Sequence, residues 1–263
     1  MNVILTAVIS VTLLGLICST ILSIVSKLLH VKIDERITLL TEIMPQANCG
    51  ACGYPGCQGY AAALIEENAK INLCAPGGSP LLAKISGILG VEAGTIEEKT
   101  AVVLCNCAVR IIKMEYKGIN SCAAAKAVFS GEKSCAFGCI GYGDCKKACP
   151  SGAICIKNNL ACIIADKCTG CGLCVKACPN NLIKTERADI PVIVACKNIE
   201  KGAVTRKKCS KGCIGCAKCV RECPEKAILI DNNLAVIDYS KCTGCGRCAG
   251  VCVTKCILVK IPD

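Results

Sequence analysis

The chain has 263 residues with 29 cysteines, no tryptophan and only 3% aromatic residues. This is too few large side chains for an ordinary core, so disulfides, zinc or iron–sulfur clusters must hold part of the interior. The formal charge is +11, but the basic residues are spread along the chain without interleaved aromatic residues, which argues against nucleic acid as a partner. Five [4Fe–4S] clusters with their thiolates, at about −2 each, would nearly cancel this charge.

The N-terminal segment predicts a membrane anchor. Residues 3–26 carry no charge, and as a helix they would span roughly 36 Å, enough for the ~30 Å core of a bilayer. No basic residue precedes them, unlike in a secretory signal, whereas Lys27, Lys32 and Arg36 follow directly. The positive-inside rule therefore predicts a single-pass anchor over residues 1–27 in the cell (inner) membrane, surrounded by lipid, with the remainder in the cytoplasm. Because cytoplasmic thiols stay reduced, we expect metal ligands and not disulfides.

A cysteine- and glycine-rich domain is predicted over residues 28–94. Apolar residues at helical spacing predict a helix over 27–44 that Pro45 ends, and shorter helices are expected over 61–68 and 80–90. On spacing alone the cysteines of this domain suit zinc or iron, and the ferredoxin motifs further along favour one [4Fe–4S] cluster. Its candidate ligands are Cys49, Cys52, Cys57 and Cys74.

A bridging segment over residues 95–134 contains a strand-like run at 100–105, and a repeat follows it. The chain matches itself at an offset of 74 residues, with the cysteines falling on one another almost position for position. Short β-runs are expected at 161–164 and 234–237. The predicted fold is α+β: a transmembrane helix, a small [4Fe–4S] domain and two tandem two-cluster ferredoxin domains, over 135–187 and 196–263.

The ferredoxin motif C-x2-C-x2-C-x3-C occurs three times. Complete runs begin at Cys168, Cys213 and Cys242, with proline after the last cysteine in the first two. In bacterial ferredoxins the first three cysteines hold one cluster and the fourth ligates the other. Zinc sites instead use two separated pairs of ligands. Exchange of fourth ligands predicts four clusters, held by Cys135/Cys139/Cys145/Cys178, Cys149/Cys168/Cys171/Cys174, Cys213/Cys216/Cys219/Cys252 and Cys223/Cys242/Cys245/Cys248.

The first motif departs from this pattern because Tyr142 stands where a cysteine is expected. Cys135, four residues before Cys139, is our candidate for the missing ligand. A three-cysteine cluster and a vacant site are the alternatives.

Nine cysteines remain unassigned. Four lie in apolar runs and are expected to pack as small apolar residues: Cys18, Cys155, Cys162 and Cys256. The other five leave a sixth cluster open: Cys105, Cys107, Cys122, Cys196 and Cys209. Neither a Gly-x-Gly-x-x-Gly motif nor a Walker loop occurs, so we expect no NAD or flavin site in this chain.

The anchor, the run Asn48-Cys49-Gly50-Ala51-Cys52-Gly53-Tyr54-Pro55-Gly56-Cys57 and the ferredoxin motifs together resemble one family. The chain is similar along nearly its whole length to the B subunit of the Rnf complex, the membrane-bound ferredoxin:NAD⁺ oxidoreductase, in its long form with two ferredoxin repeats. The resemblance implies that the chain is part of a translocase, accepts electrons from soluble ferredoxin and passes them to partner subunits, coupled to Na⁺ or H⁺ transport.

Two rival interpretations stay open at this point. The chain could be a polyferredoxin subunit of another membrane redox complex, such as a hydrogenase or dehydrogenase. The cysteine-rich domain beside a single anchor argues against that. It could also be a membrane-tethered zinc module that binds a partner.

Overall fold

The computed structural model describes residues 2–28, 34–94, 98–107 and 111–259. Helix α1, Asn2–Leu28, is the anchor helix; it contains the apolar span Ile4–Lys27 with a mean hydropathy of 2.5, and none of that span is buried against the protein. Within the described ranges, α1 is the helix long and apolar enough to cross a membrane. Residues 29–33, which include Lys32 and part of the helix predicted over 27–44, lie outside the described residues.

Three helices form the domain that follows the anchor: α2 (Glu35–Ile43), α3 (Gly56–Glu66) and α4 (Gly78–Leu89). Asp34 caps α2, accepting a hydrogen bond from the Arg36 N–H at 2.9 Å. The apolar faces of the helices share one core around Leu40, Tyr60 and Ile85. The helices predicted over 61–68 and 80–90 are confirmed, and α3 begins five residues earlier than expected, at Gly56.

In the described ranges, eight short strands form four two-stranded antiparallel sheets. In the first repeat β1 (Lys99–Val103) pairs with β4 (Ile183–Arg187), and β2 (Ile154–Lys157) pairs with β3 (Leu160–Ile163). In the second repeat β5 (Val192–Val194) pairs with β8 (Ile257–Val259), and β6 (Ile228–Asp231) pairs with β7 (Leu234–Ile237). The strand predicted within the bridging segment is therefore the first strand of the first repeat.

Six short helices complete the repeats. The first repeat has α5 (Cys122–Ala127), α6 (Asp144–Lys147) and α7 (Leu173–Ala177), and the second has α8 (Gly202–Lys208), α9 (Lys218–Glu222) and α10 (Arg247–Gly250). Buried cysteines take part in both cores together with small aliphatic side chains, including Cys145 and Cys174 in the first repeat and Cys219 and Cys248 in the second. Cysteine side chains thus occupy core positions that larger aliphatic or aromatic side chains fill in an ordinary domain.

One disulfide corrects the expectation that the thiols are all reduced. Cys155 on β2 and Cys162 on β3 are directly opposite in the antiparallel register, and they are bonded in the structure. Their Cα atoms are 5.2 Å apart, within the range of about 4.4–6.8 Å that a disulfide spans. The pair lies on the hairpin and lines none of the thiol cavities described below.

Candidate metal centres

Residues with left-handed backbone conformation shape each cysteine loop. Gly143, Gly172 and Gly246 precede α6, α7 and α10 with φ of 83°, 77° and 71°. Glycine reaches this region without the steric cost that a Cβ adds. Ala217 takes the same place before α9, with φ of 57°. At each turn the loop bends around a cavity, and the helix that follows presents a buried cysteine to it: Cys145, Cys174, Cys219 or Cys248.

Four cavities lie at the ends of these helices, and we number them sites 1 to 4 along the chain. Site 2 has about 300 Å³ of space and site 4 about 320 Å³. Each is lined by three cysteines of one motif and the last cysteine of the other motif in the same repeat. These sets agree with the predicted exchange: Cys149, Cys168, Cys171 and Cys174 at site 2, and Cys223, Cys242, Cys245 and Cys248 at site 4.

Site 3 also contains its predicted set. Its cavity of about 340 Å³ is lined by Cys213, Cys216, Cys219 and Cys252. Cys256, which we expected to pack as an apolar residue, also lies in its wall and is 2% exposed. A hydrogen bond from Cys256 lowers the pKa of Cys213 to about 6.

Site 1 differs from the predicted set. Its cavity of about 390 Å³ is lined by Cys139, Cys145 and Cys178, and the fourth thiol is Cys122, the first residue of α5. Cys135, the predicted substitute for the ligand missing at Tyr142, instead lines a separate and larger cavity. The Tyr142 hydroxyl donates a hydrogen bond to Glu132 Oε1 at 2.6 Å. Cys122 therefore stands where the predicted substitute was needed.

The thiols of each cavity are crowded and poorly solvated. Burial raises the pKa of Cys145 to about 12, and part of the rise comes from three neighbouring thiols, Cys139, Cys122 and Cys178. Burial and neighbouring thiols likewise raise the pKa of Cys174 and Cys219 to about 11. Thiolates cannot share such a cavity unless a cationic group neutralises them. An iron–sulfur core is such a group, and these residues fit it.

Backbone N–H groups point at several of the sulfurs. The Ala101 N–H donates to Cys168 Sγ at 3.3 Å, which ties β1 to site 2. The Leu182 N–H donates to Cys178 Sγ at 3.4 Å, and its counterpart in the second repeat, the Cys256 N–H, donates to Cys252 Sγ at 3.3 Å. Hydrogen bonds to ligand sulfur stabilise the reduced, more negative state of a cluster and thereby tune its potential.

The domain beside the anchor holds site 5, made of its four predicted cysteines. Burial raises the pKa of Cys74, and the nearby thiols of Cys57, Cys52 and Cys49 add to the rise, so the four lie together. The Cys57 N–H donates to Asn48 Oδ1 at 2.9 Å, which closes the loop before α3. The Tyr60 hydroxyl donates to Lys70 O at 2.7 Å and accepts from the Leu73 N–H at 3.3 Å, which fixes the segment leading to Cys74.

At each cavity the thiols lie around the wall and do not all approach a single point. Among the described residues, no group of three or more histidine, cysteine or acidic side chains is close enough to hold a single metal ion. A mononuclear zinc site draws four ligands to about 2.3 Å from one ion. A cubane instead carries one thiolate on each of four separate iron corners. The cavities agree better with the second arrangement.

Cys122 is the residue at sites 1 to 4 that motif spacing failed to assign. It lies outside every C-x2-C run, and α5 brings it to site 1. Asp144 Oδ2 holds the start of α5 by accepting hydrogen bonds from Ser121 Oγ at 2.9 Å and from the Ala123 N–H at 3.0 Å. Two features of the sequence could have pointed to Cys122. The motif lacks a cysteine at Tyr142, and Cys122 is an unassigned cysteine that precedes the motif.

Three segments match known families. Residues 44–76 match the family described as "Putative Fe-S cluster", and residues 167–228 and 212–256 each match a "4Fe-4S dicluster domain". These matches cover site 5 and the three complete ferredoxin motifs. They support [4Fe–4S] clusters as the cofactor class.

Similar proteins cover nearly the whole chain. The B subunit of the "Proton-translocating ferredoxin:NAD(+) oxidoreductase complex" of Clostridium ljungdahlii is 41% identical over 91% of this chain and 86% of its own length. The B subunit of the "Na(+)-translocating ferredoxin:NAD(+) oxidoreductase complex" of Acetobacterium woodii is 40% identical over 92% of this chain and 73% of its own. The B subunit of the "Ion-translocating oxidoreductase complex" of Methanosarcina acetivorans is 34% identical, over 87% and 88%.

Proposed function

The chain belongs to the B-subunit family of ion-translocating ferredoxin:NAD⁺ oxidoreductase complexes, and we propose that it carries electrons from reduced ferredoxin to the other subunits of such a complex. The observation that carries this proposal is the succession of cavities at sites 1 to 4, each lined by at least four cysteines. A [4Fe–4S] group supplies reversible one-electron chemistry at each of them. The protein's part is to hold the sulfurs, exclude water and set the spacing.

The ligand sets of the proposal are those of sites 1 to 5, which gives five clusters. Cys122 replaces Cys135 as the fourth ligand of site 1, because it shares that cavity with Cys139 and Cys145. Helix α1 crosses the membrane once and holds the remaining domains at the cytoplasmic face, in accord with Lys27 at its end. Flavin and NAD bind to partner subunits.

The second repeat is the entry point for electrons in this proposal. Its ligands Cys216 and Cys245 are exposed, whereas Cys171, the counterpart of Cys245, is half-buried. The exposed side chains of Lys218 and Arg247 lie beside these two thiols, where the first repeat has Asp144 and Leu173. Exposed sulfur next to positive charge suits a soluble redox partner with an acidic docking face.

Anaerobic purification of the full chain in detergent tests the cofactor class. We expect brown protein with at least about twenty irons and an equal amount of acid-labile sulfide, because sites 1 to 5 each hold a cubane of four irons. Colourless protein with stoichiometric zinc would overturn the proposal.

Stopped-flow mixing with reduced ferredoxin tests the donor. Wild-type absorbance should bleach, and the double variant Lys218→Glu/Arg247→Glu should react about tenfold or more slowly at low salt, because charge steers the encounter. The matched control is Lys184→Glu, an exposed lysine on β4 of the first repeat. Equal rates for the double variant and the control, at unchanged iron content, would refute entry through the second repeat.

A further inference from the structure

The largest thiol-lined cavity in the described part of the chain belongs to none of the five sites. It has about 540 Å³ of space and lies between the two repeats. Six cysteines line it: Cys105, Cys107, Cys135, Cys139, Cys196 and Cys209. Only Cys139 has a place in the ligand sets above, at site 1. The other five are cysteines that the ligand sets of sites 1 to 5 leave unassigned.

We propose that this cavity is a sixth metal centre, site 6, which holds a [4Fe–4S] cluster on Cys105, Cys107, Cys135 and Cys209. The proposal goes beyond the five-cluster function above and rests on it for the direction of electron flow.

The grouping of the thiols supports this ligand set. Cys107 and Cys209 are hydrogen-bonded to each other, and Cys135 lies close enough to both Cys105 and Cys209 for their charges to interact. Cys196 is placed differently: its Sγ accepts the Cys213 N–H at 3.2 Å and the Asn198 N–H at 3.5 Å. The bond from the Cys213 N–H ties Cys196 to site 3, so we place Cys196 in the wall between sites 6 and 3 and assign the four thiols grouped above as the ligands.

Two glycines related by the repeat lie against the sulfurs of site 6. Gly138 and Gly212 line the cavity, and a Cβ on either would lie 3.6 Å from the sulfur of Cys135 or Cys209, respectively. Each glycine lies in the same Cys-x2-Gly-Cys run, in which the first cysteine faces site 6 and the second faces site 1 or site 3. The duplicated motif thus supplies one ligand of site 6 from each repeat.

The charge around the cavity suits an anionic group. Four lysines line it, whereas none of the described lining residues is acidic: Lys133, Lys197, Lys208 and Lys211. Lys208 also pairs with Glu200. The linings of sites 1 and 2 contain no lysine or arginine. Four thiolates around a cubane carry about −2 in total, and Lys133, Lys197 and Lys211 compensate that charge in a poorly solvated space. The charge of Lys208 is instead matched by Glu200, whose carboxylate lies close enough to Cys135 to interact with it.

The segment that carries Cys105 and Cys107 is held by both repeats. The Leu104 N–H donates to Leu182 O at 2.7 Å in the first repeat, and Asn106 Nδ2 donates to Lys255 O at 3.4 Å in the second. Lys197 Nζ donates to Asn181 O at 3.0 Å between the repeats. Ligands from the bridging segment and from both repeats would therefore fix the two ferredoxin units relative to each other.

The position of site 6 between sites 1 and 3 indicates a role in electron transfer between the repeats. Cys139 lines both site 1 and site 6, and Cys196 links site 6 to Cys213 of site 3. Electrons that pass one at a time from the second repeat to the first would cross this cavity. The cluster at site 6 would gain one electron and then lose it, and no bond would be broken. Without it, the two ferredoxin units would lack a redox centre between them.

Iron and sulfide counts on the full chain, purified anaerobically, test the proposal with three variants. Cys107→Ser and Cys209→Ser should each lose about four irons, and the double variant should lose no more, because one cubane is removed in every case. The control Cys196→Ser should keep its iron. Unchanged iron in the first two variants, or one bound zinc at this site beside intact motif clusters, would overturn site 6. Loss of iron from the wild type altogether would instead overturn the proposed function.

Alkylation of the wild type provides a readout that needs no variant to fold. Cys105, Cys107, Cys135 and Cys209 should be protected from maleimide in the native protein and react after iron is chelated, as located by peptide mass spectrometry. Their alkylation in native protein whose motif cysteines stay protected would refute site 6.

Discussion

The two ferredoxin repeats share their frame but differ at the entrance to their first cavity. Strands β2 and β3 coincide with β6 and β7 at the 74-residue offset. Cys122 begins helix α5 and reaches site 1, whereas its counterpart Cys196 precedes helix α8 and contacts site 6. In the repeat with an incomplete motif a cysteine from a local helix lines site 1, whereas in the repeat with complete motifs the equivalent cysteine does not line site 3.

The two repeats also differ in the hairpins β2–β3 and β6–β7. The disulfide-bonded pair Cys155–Cys162 of the first hairpin corresponds to Leu229 opposite Val236 in the second. The motif cysteines that line sites 1 to 4 agree between the repeats, apart from Tyr142, while the outer faces of the hairpins have diverged. The duplication therefore preserved the sites and left the outer surfaces free to take different roles.

The largest difference between the repeats is expected when each of the two equivalent cysteines is replaced in turn by serine. Cys122→Ser should lose about four irons because site 1 is left with three ligands, whereas Cys196→Ser should lose none. Iron, sulfide and the reduced-cluster EPR signal measure both.

The double variant Cys122→Ser/Cys135→Ser separates two arrangements. If the two cysteines serve different cubanes, it should lose about eight irons. A loss of only four, together with full iron in Cys122→Ser, would return Cys135 to site 1.

A second change should convert the first repeat into the pattern of the second. Cys122→Ser/Tyr142→Cys restores the spacing 139-142-145 of a complete motif and should recover the four irons lost in Cys122→Ser. The Tyr142→Cys change alone removes the hydrogen bond to Glu132 and the ring contact with Tyr116, at a cost of about 1 kcal/mol in unfolding free energy. Failure to recover iron in the double variant would show that the first loop cannot present a ligand from position 142.

Motif spacing could predict the complete loops because their ligands lie three residues apart and one turn brings them together. Cys122 could not be assigned this way, since its approach to Cys145 depends on hydrogen bonds from Ser121 and Ala123 to Asp144. The same holds for Cys105 and Cys107, which reach site 6 through contacts with both repeats.

The disulfide and the pairing of the first strand could not be predicted from the sequence for a related reason. Cys155 meets Cys162 through a hairpin register that composition does not reveal. Similarly, β1 pairs with β4 across a long stretch of chain, so the bridging segment looked separate from the repeat that it completes.

A smaller difference between the repeats is expected at two equivalent glycines. Gly141 has φ of 99°, and a Cβ there would overlap the carbonyl oxygen of Asn159; Gly215 has φ of 65°, and a Cβ would lie 2.9 Å from Asn233 O. Left-handed backbone and close contact each disfavour a side chain. We expect Gly141→Ala to lower the unfolding free energy by about 3 kcal/mol and Gly215→Ala by about 2 kcal/mol. Iron release into a chelator during denaturant titration follows both, and equal effects would contradict the difference in geometry.

The smallest effect concerns the helix that delivers Cys122. Ser121 caps α5 and donates to Asp144 Oδ2 at 2.9 Å, whereas the equivalent position in the second repeat is Ala195. Ser121→Ala should cost about 1 kcal/mol of local stability and speed iron release from site 1 several-fold, with sites 2 to 4 unaffected, because the helix start frays and exposes Cys122. Ser121→Thr keeps the hydroxyl and should release iron at nearly the wild-type rate. Equal rates for the alanine and threonine variants would show that Asp144 positions α5 through the Ala123 N–H alone.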